Sequence, residues 1–228
     1  MNGFSIEELY KLLDKTDSKL DFWIRCDDVG KYDENTIRLI ELFNRYDMDV
    51  ILCMIPTIID EKFKDCIASG KFILSQHGYS HKNRASVGKC ELSDERNGNE
   101  VLDEMLLGKK KLIDMFNQEV EVLTPPFNKI DSNTQILLRD HYHTLSVFAD
   151  HKSCFREDRN PYVDIVNWHQ REFGGEEFSN RQILKAMNHT DSIGICIHPN
   201  CLNEAGFSYL ENLFEMLSSS KSVKVRRK

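Results

Sequence analysis

Seven short apolar segments, at residues 22–26, 49–55, 72–75, 120–124, 144–148, 163–168 and 193–197, recur along the chain, and each gives way to a polar or helix-patterned stretch. Segments of this length bounded by polar residues read as strands. Between them the helical period takes over: Val101, Leu102, Met105, Leu106, Leu112, Ile113 and Phe116 make one apolar stripe, and Thr36 to Phe43 and Tyr209 to Leu217 read the same way. Ser5 with Glu8 three residues later, ahead of Leu9, Leu12 and Leu13, is a capping box, so residues 1–20 are expected to open with a short helix. Alternating strands and helices imply an α/β fold with a mostly parallel sheet, and seven units without a glycine-rich phosphate loop suit an incomplete barrel better than a dinucleotide fold. At 228 residues one domain, 1–228, accounts for the chain, with a solvated basic tail at 218–228.

Asp27, Asp28, His77, His81, Phe127, Asn128, Trp168 and His198 all fall at or just beyond the C-terminal ends of different expected strands, where barrel enzymes build their active sites. Two adjacent acids could merely start a loop or cap a helix. His77-Gly-Tyr-Ser-His81 supplies them with partners, because four-residue spacing on a turn entering a helix stacks both rings on one side, and Gly78 permits a tight backbone. One carboxylate and two imidazoles hold a divalent cation with positions left open for water and substrate, which is the arrangement of a catalytic site. Zinc is the first expectation, with cobalt, nickel, manganese and iron(II) compatible. Strand periodicity also puts Arg25 on the face of Asp27, where a guanidinium could reach that carboxylate.

A formal charge of −7 leaves no electrostatic footprint for nucleic acid, so a small-molecule or carbohydrate substrate is expected. The seven cysteines are odd in number, scattered, and never spaced Cys-x-x-Cys, which reads as reduced thiols in a cytoplasmic protein. No apolar run is long enough to span a bilayer and no secretory leader pattern opens the chain, so a soluble, unexported protein is expected. The oligomeric state has no signature in the sequence.

Asp27-Asp28-Val-Gly resembles the paired-Asp motif of the polysaccharide deacetylases, carbohydrate esterase family 4, and His77 to His81 resembles their His-Ser/Thr-x-x-His motif. In the same order, Thr124-Pro-Pro-Phe-Asn128 is similar to their Arg-x-Pro-Tyr loop, Asp164-Ile-Val-Asn-Trp168 to their Asp-x-x-Asp-Trp segment, and Ile195-Cys-Ile-His198 to their Leu-x-His motif. The resemblance spans residues 22 to 200 and implies a distorted (β/α)7 barrel that removes an acetyl group from an amino sugar or other acylated carbohydrate with a divalent metal. Motif by motif it implies that Asp28, His77 and His81 bind the ion, Asp27 is the general base and His198 the general acid. The backbone N–H of Phe127 would help to hold the oxyanion, and Trp168 would wall the acyl methyl or stack on a sugar ring. The pattern resembles a divergent intracellular branch, sometimes associated with surface-polysaccharide biosynthesis, more than a typical cell-wall or chitin deacetylase.

Three positions depart from the family pattern. Thr124 stands where the family has the arginine that orients the base, Asn167 where it has the acid that charges the general acid, and Gly78 where it has a hydroxyl residue. Arg25 is the candidate replacement for the first. An Asn167 amide could orient His198 by hydrogen bonding but not stabilise an imidazolium, with Asp164 or His169 as possible compensation. A glycine at 78 is expected to loosen the loop. Phe173-Gly-Gly-Glu-Glu-Phe178 looks like the diguanylate cyclase signature, but without a hairpin and before a helix capped near Ser179 it reads as a helix entry. Competing functions are hydrolysis of a non-sugar C–N bond, a mononuclear iron oxygenase, whose usual all-β pattern is missing here, and a carbohydrate-binding barrel that has lost catalysis.

Overall fold

The computed structural model describes residues 4–16, 19–68, 72–149, 151–220 and 223–225. Helix α1 (Ile6–Asp14) opens on the expected capping box: Ser5 Oγ accepts from the Glu8 N–H and Glu8 Oε2 from the Ser5 N–H. There follow β1 (Leu20–Val29), α2 (Glu34–Arg45), β2 (Val50–Met54), α3 (Phe63–Ala68), β3 (Phe72–Gln76), α4 (Gly98–Phe116), β4 (Val122–Leu123), α5 (Ser132–Leu138), β5 (Thr144–Leu145), β6 (Glu157–Asp158), β7 (Val163–Asp164), β8 (Val166–Asn167), β9 (Glu172–Phe173), α6 (Glu176–Met187), β10 (Ser192–Ile197), α7 (Glu204–Ser219) and β11 (Val223–Val225).

Eight strands pair in the order β6-β5-β4-β3-β2-β1-β10-β7, and every pairing along that path is parallel. The sheet curls into a half-barrel, a distorted (β/α)7 barrel open between β6 and β7. All seven expected segments contain a strand, and the eighth member of the path is the exposed two-residue β6. The 163–168 segment is divided: only Val163–Asp164 joins the sheet, while Val166–Asn167 turns away to pair antiparallel with β9.

Period-two alternation sorts the central strands onto two faces. Phe22, Ile24 and Cys26 of β1, Ile193, Ile195 and Ile197 of β10, and Phe72 and Leu74 of β3 join the large core against the helices. The alternate residues Trp23, Ile51, Cys53 and Val122, with Ile73, form a smaller cluster inside the barrel. Arg25 and Asp27 continue the Trp23 face, and Cys196 and His198 continue that of Gly194, where an added Cβ would strike the Trp23 ring. The barrel interior therefore grades from apolar at its base to charged at the C-terminal strand ends.

Two expectations are corrected. The 218–228 stretch is not a tail throughout: α7 runs to Ser219 and Val223–Val225 pairs with Leu20–Phe22 of β1, because Val223 and Val225 supply an alternation the basic residues obscure. Lys221 and Arg226 to Lys228 lie outside the described residues. A hairpin does adjoin the Gly-Gly-Glu-Glu run, since Phe173 belongs to β9, and the cap of α6 is Gly175 rather than Ser179. Glu176 accepts from the Ile6 N–H and Glu177 makes a surface i,i+4 pair with Arg181, so both acids have partners within the chain. No helix of the described residues is long and apolar enough to cross a membrane.

Candidate active site

At the end of β1, strict alternation would send Asp27 and Asp28 to opposite faces. The β1–β2 register instead shifts between Cys26 and Val29, with Asp28 in the left-handed region at φ 61°, and the bulge turns both carboxylates into the barrel mouth. His81 (φ 55°), Phe127 (φ 60°) and Asn128 (φ 53°) are left-handed too. Non-glycine residues held there cost about 1–2 kcal/mol each, and such strain clusters at sites the surrounding structure over-determines.

Asp28, His77 and His81 converge. Asp28 Oδ1 stands 3.3 Å from His77 Nε2 and 3.1 Å from His81 Nε2. His77 is buried, and its Nδ1–H donates to the Thr124 carbonyl at 2.8 Å, which fixes the tautomer and leaves the Nε2 lone pair facing Asp28. A lone pair cannot donate to a carboxylate, and Asp28 Oδ1 is buried without a hydrogen bond of good geometry. Three electron-pair donors turned to one point fit a cation of zinc type. Without one, protons take the place: burial lowers the His77 pKa, but Asp28 and then Asp27 outweigh burial and raise it above the ordinary imidazole value.

Asp27 lies beside this trio with a different partner. Arg25, fully buried, donates from Nη2 to Asp27 Oδ2 at 2.9 Å, and its Nε stands 2.9 Å from Oδ1, off-line for a hydrogen bond. Arg25 Nη2 also donates to Asn128 Oδ1 at 2.7 Å, and Nη1 to the Ser146 carbonyl at 3.3 Å. Burial would raise the Asp27 carboxyl, but Arg25, then His77 and His198, hold it below the usual carboxylate range. Thr124 is elsewhere: its hydroxyl shares hydrogen bonds with Ser75 and Cys53.

His198, buried, places Nε2 3.6 Å from Asp27 Oδ2. The Trp168 ring stands edge-on to it, centroids 4.7 Å apart, and Trp168 is 52% exposed, so it is a wall of the mouth and not a core aromatic. Its Nε1–H donates to Asp164 Oδ2 at 2.8 Å. The expected bond from Asn167 to His198 is not made. Asn167 Nδ2 donates to Gln170 and Oδ1 accepts from the His169 N–H, both in the β8–β9 turn, because the chain leaves the sheet after β7. The electrostatic partner on that flank is Asp164, whose carboxyl burial raises against the opposing pull of His198.

Sequence reasoning gave no part to Glu91 or Cys196. Glu91, in the long segment between β3 and α4, is buried and bonds the backbone of Ser80 and His81; Cys196 donates its thiol to Asp27 at 3.5 Å. Cys196 was readable from its parity with His198. Glu91, in an irregular segment, carried no periodic signal.

Gly78 does not loosen the loop. At φ 62° an added Cβ would strike Glu91 Oε2 and come within 2.6 Å of Pro126 Cγ. Gly78→Ser is therefore expected to destabilise by roughly 2–5 kcal/mol, the sum of left-handed strain and overpacking. Urea unfolding checks this, and a variant as stable as the parent would reject it.

The family model for polysaccharide deacetylases matches residues 14–145. The chain belongs to this family. Solved structures that share the fold include a CE4 family pseudoenzyme from Bacillus anthracis, at 13% identity and TM-score 0.60, covering 91% of this chain and 63% of that one. A mutant of that pseudoenzyme with restored enzymatic activity matches at 14% identity and TM-score 0.60, over 91% and 65% of the two chains. The peptidoglycan deacetylase PdaC from Bacillus subtilis matches at 11% and 0.59, over 91% and 87%. The chain thus spans less than two thirds of the length of the first of these. No curated protein matches it.

Proposed function

We propose that this chain is a metal-dependent hydrolase that removes an acetyl group from an amino sugar or another acylated carbohydrate. The observation that carries the reading is the convergence of Asp28, His77 and His81 beside a separate carboxylate, Asp27, with His198 across from it. A divalent cation held by the trio, zinc first by its donor set, would acidify a water and polarise the acyl carbonyl. Asp27 Oδ2 then takes the proton of the attacking water. Its lowered pKa makes it a weak base, so it suits a water that is already acidic and stays ionised at neutral pH. Arg25 fixes the direction of that carboxylate. The Phe127 N–H, engaged in no bond within the described residues, is a donor for the oxyanion. His198 Nε2 delivers the proton to the departing nitrogen or oxygen, and Trp168 screens it from water.

The unpaired state of all seven cysteines supports a reducing, cytoplasmic setting, and a role in surface-polysaccharide biosynthesis suits an acylated sugar substrate there. A second reading, a carbohydrate-binding barrel without catalysis, is favoured by one observation: Asn167 supplies His198 with nothing. The decisive experiment measures acetate release from N-acetylated and O-acetylated sugars by protein loaded with zinc or cobalt, chelated, and reloaded. Turnover that is lost and regained with metal is the expected result. Sugar binding without acetate release from metal-loaded protein would replace this reading with the second.

A further inference from the structure

We infer that Glu91 is a positioning residue that aims His81 at the cation; the inference rests on the metal-site reading above. Glu91 is fully buried, and both of its oxygens act as acceptors: Oε1 takes the Ser80 N–H at 2.8 Å and the Ser80 hydroxyl at 2.9 Å, and Oε2 takes the His81 N–H at 2.9 Å. Among the described residues no basic side chain stands within ion-pair distance of it. A carboxylate removed from water and met only by neutral donors is costly, and such a group persists where the surrounding structure depends on it.

What depends on it here is the backbone of a ligand. His81 sits at φ 55°, a left-handed conformation that costs a non-glycine residue about 1–2 kcal/mol, and the bond from its N–H to Glu91 holds it there with Nε2 toward Asp28. The bonds to Ser80 fix the residue before it. Gly78 completes the arrangement from the other side, since any side chain at 78 would occupy the room that Glu91 Oε2 fills. Gly78 and Glu91 are one device: a carboxylate from further along the same β3–α4 segment holds the His-to-His turn where the related pattern has a hydroxyl residue inside it.

The test uses cobalt(II) as the probe on the full chain. Glu91→Gln keeps the volume but offers one acceptor oxygen, so either the Ser80 pair or the His81 N–H is lost. Cobalt affinity is expected to weaken about 10–100-fold, the range for outer-shell ligand supports, with a changed visible absorption band from a displaced imidazole. A lower Tm with unchanged affinity and spectrum would show a merely structural carboxylate and overturn the inference. If Glu91→Gln does not fold, Ser80→Ala, which removes one donor, carries the test; it should weaken cobalt binding in the same direction, and unchanged binding overturns the inference. Wild-type protein that binds no cobalt or zinc would instead sink the metal-site reading, and this inference with it.

Discussion

Replacing Asp28 with alanine is expected to strip the protein of its divalent cation and of hydrolysis together. Asp28 is the only carboxylate of the trio, and without it two neutral imidazoles face the ion with no compensating charge. Losing what a cation contributes to acyl transfer, several kcal/mol of transition-state stabilisation, means about a thousandfold or more in turnover. Elemental analysis should find metal in wild-type protein and little in Asp28→Ala or His77→Ala. A ligand that binds only the folded chain at a hundred times its Kd stabilises by about 2.7 kcal/mol, so added zinc should raise the wild-type Tm and leave the variants unmoved. Protons compete for the same nitrogens. Because the metal-free His77 pKa is raised, the imidazolium is present at and below its ordinary range, near 6.5, and is lost as pH rises through the raised value. The zinc-induced rise in Tm should therefore grow with pH from about 5 to 8. Variants that retain metal and activity would remove the basis of the proposed function.

Arg25→Ala is expected to cost about 3–5 kcal/mol, the loss typical when one partner of a buried pair is removed and the other is left as an uncompensated charge. Arg25 is fully buried, Asp27 nearly so, and the change removes the guanidinium bonds to Asp27, Asn128 and Ser146 together. The double variant Arg25→Met/Asp27→Leu should recover much of that loss, since it buries no charge, while remaining inactive. The two proteins should answer pH differently. In wild-type protein the Asp27 carboxyl lies below its unfolded value, so its stabilisation is fully present above about pH 4 and is lost as pH falls through the lower, folded pKa. In Arg25→Ala, burial acts with less opposition and lifts that pKa, so stability relative to wild type should improve as pH falls from 7 toward 5. Denaturant unfolding across that range measures both, and a cost under about 1 kcal/mol would show Arg25 to be an ordinary lining residue.

The chain positions of the site were legible because they repeat a simple geometry. Each strand of a parallel barrel ends at the same rim, so a polar residue closing each apolar run lands at one mouth: Asp27 near the end of β1, His77 after β3, His198 after β10. Arg25 was legible as well, two residues from Asp27 on a strand. Asn167 was not, because its placement assumed that 163–168 is one strand, and the chain leaves the sheet after Asp164. Nor was Glu91, whose partners Ser80 and His81 lie 11 and 10 residues earlier in irregular backbone, where separation along the chain says nothing of distance.

From residue order alone come the parallel α/β architecture, the inward parity of Trp23, Arg25 and Asp27, and the donor types for a divalent cation; all are local, set by period and side-chain chemistry. Tertiary structure decided the rest. The bulge that swings Asp28 beside Asp27, the pairing that sets Arg25 opposite Cys196, and the Glu91 carboxylate behind His81 are settled only when distant segments compete for one buried volume. That competition is among packing, desolvation and backbone strain, which no window of sequence contains.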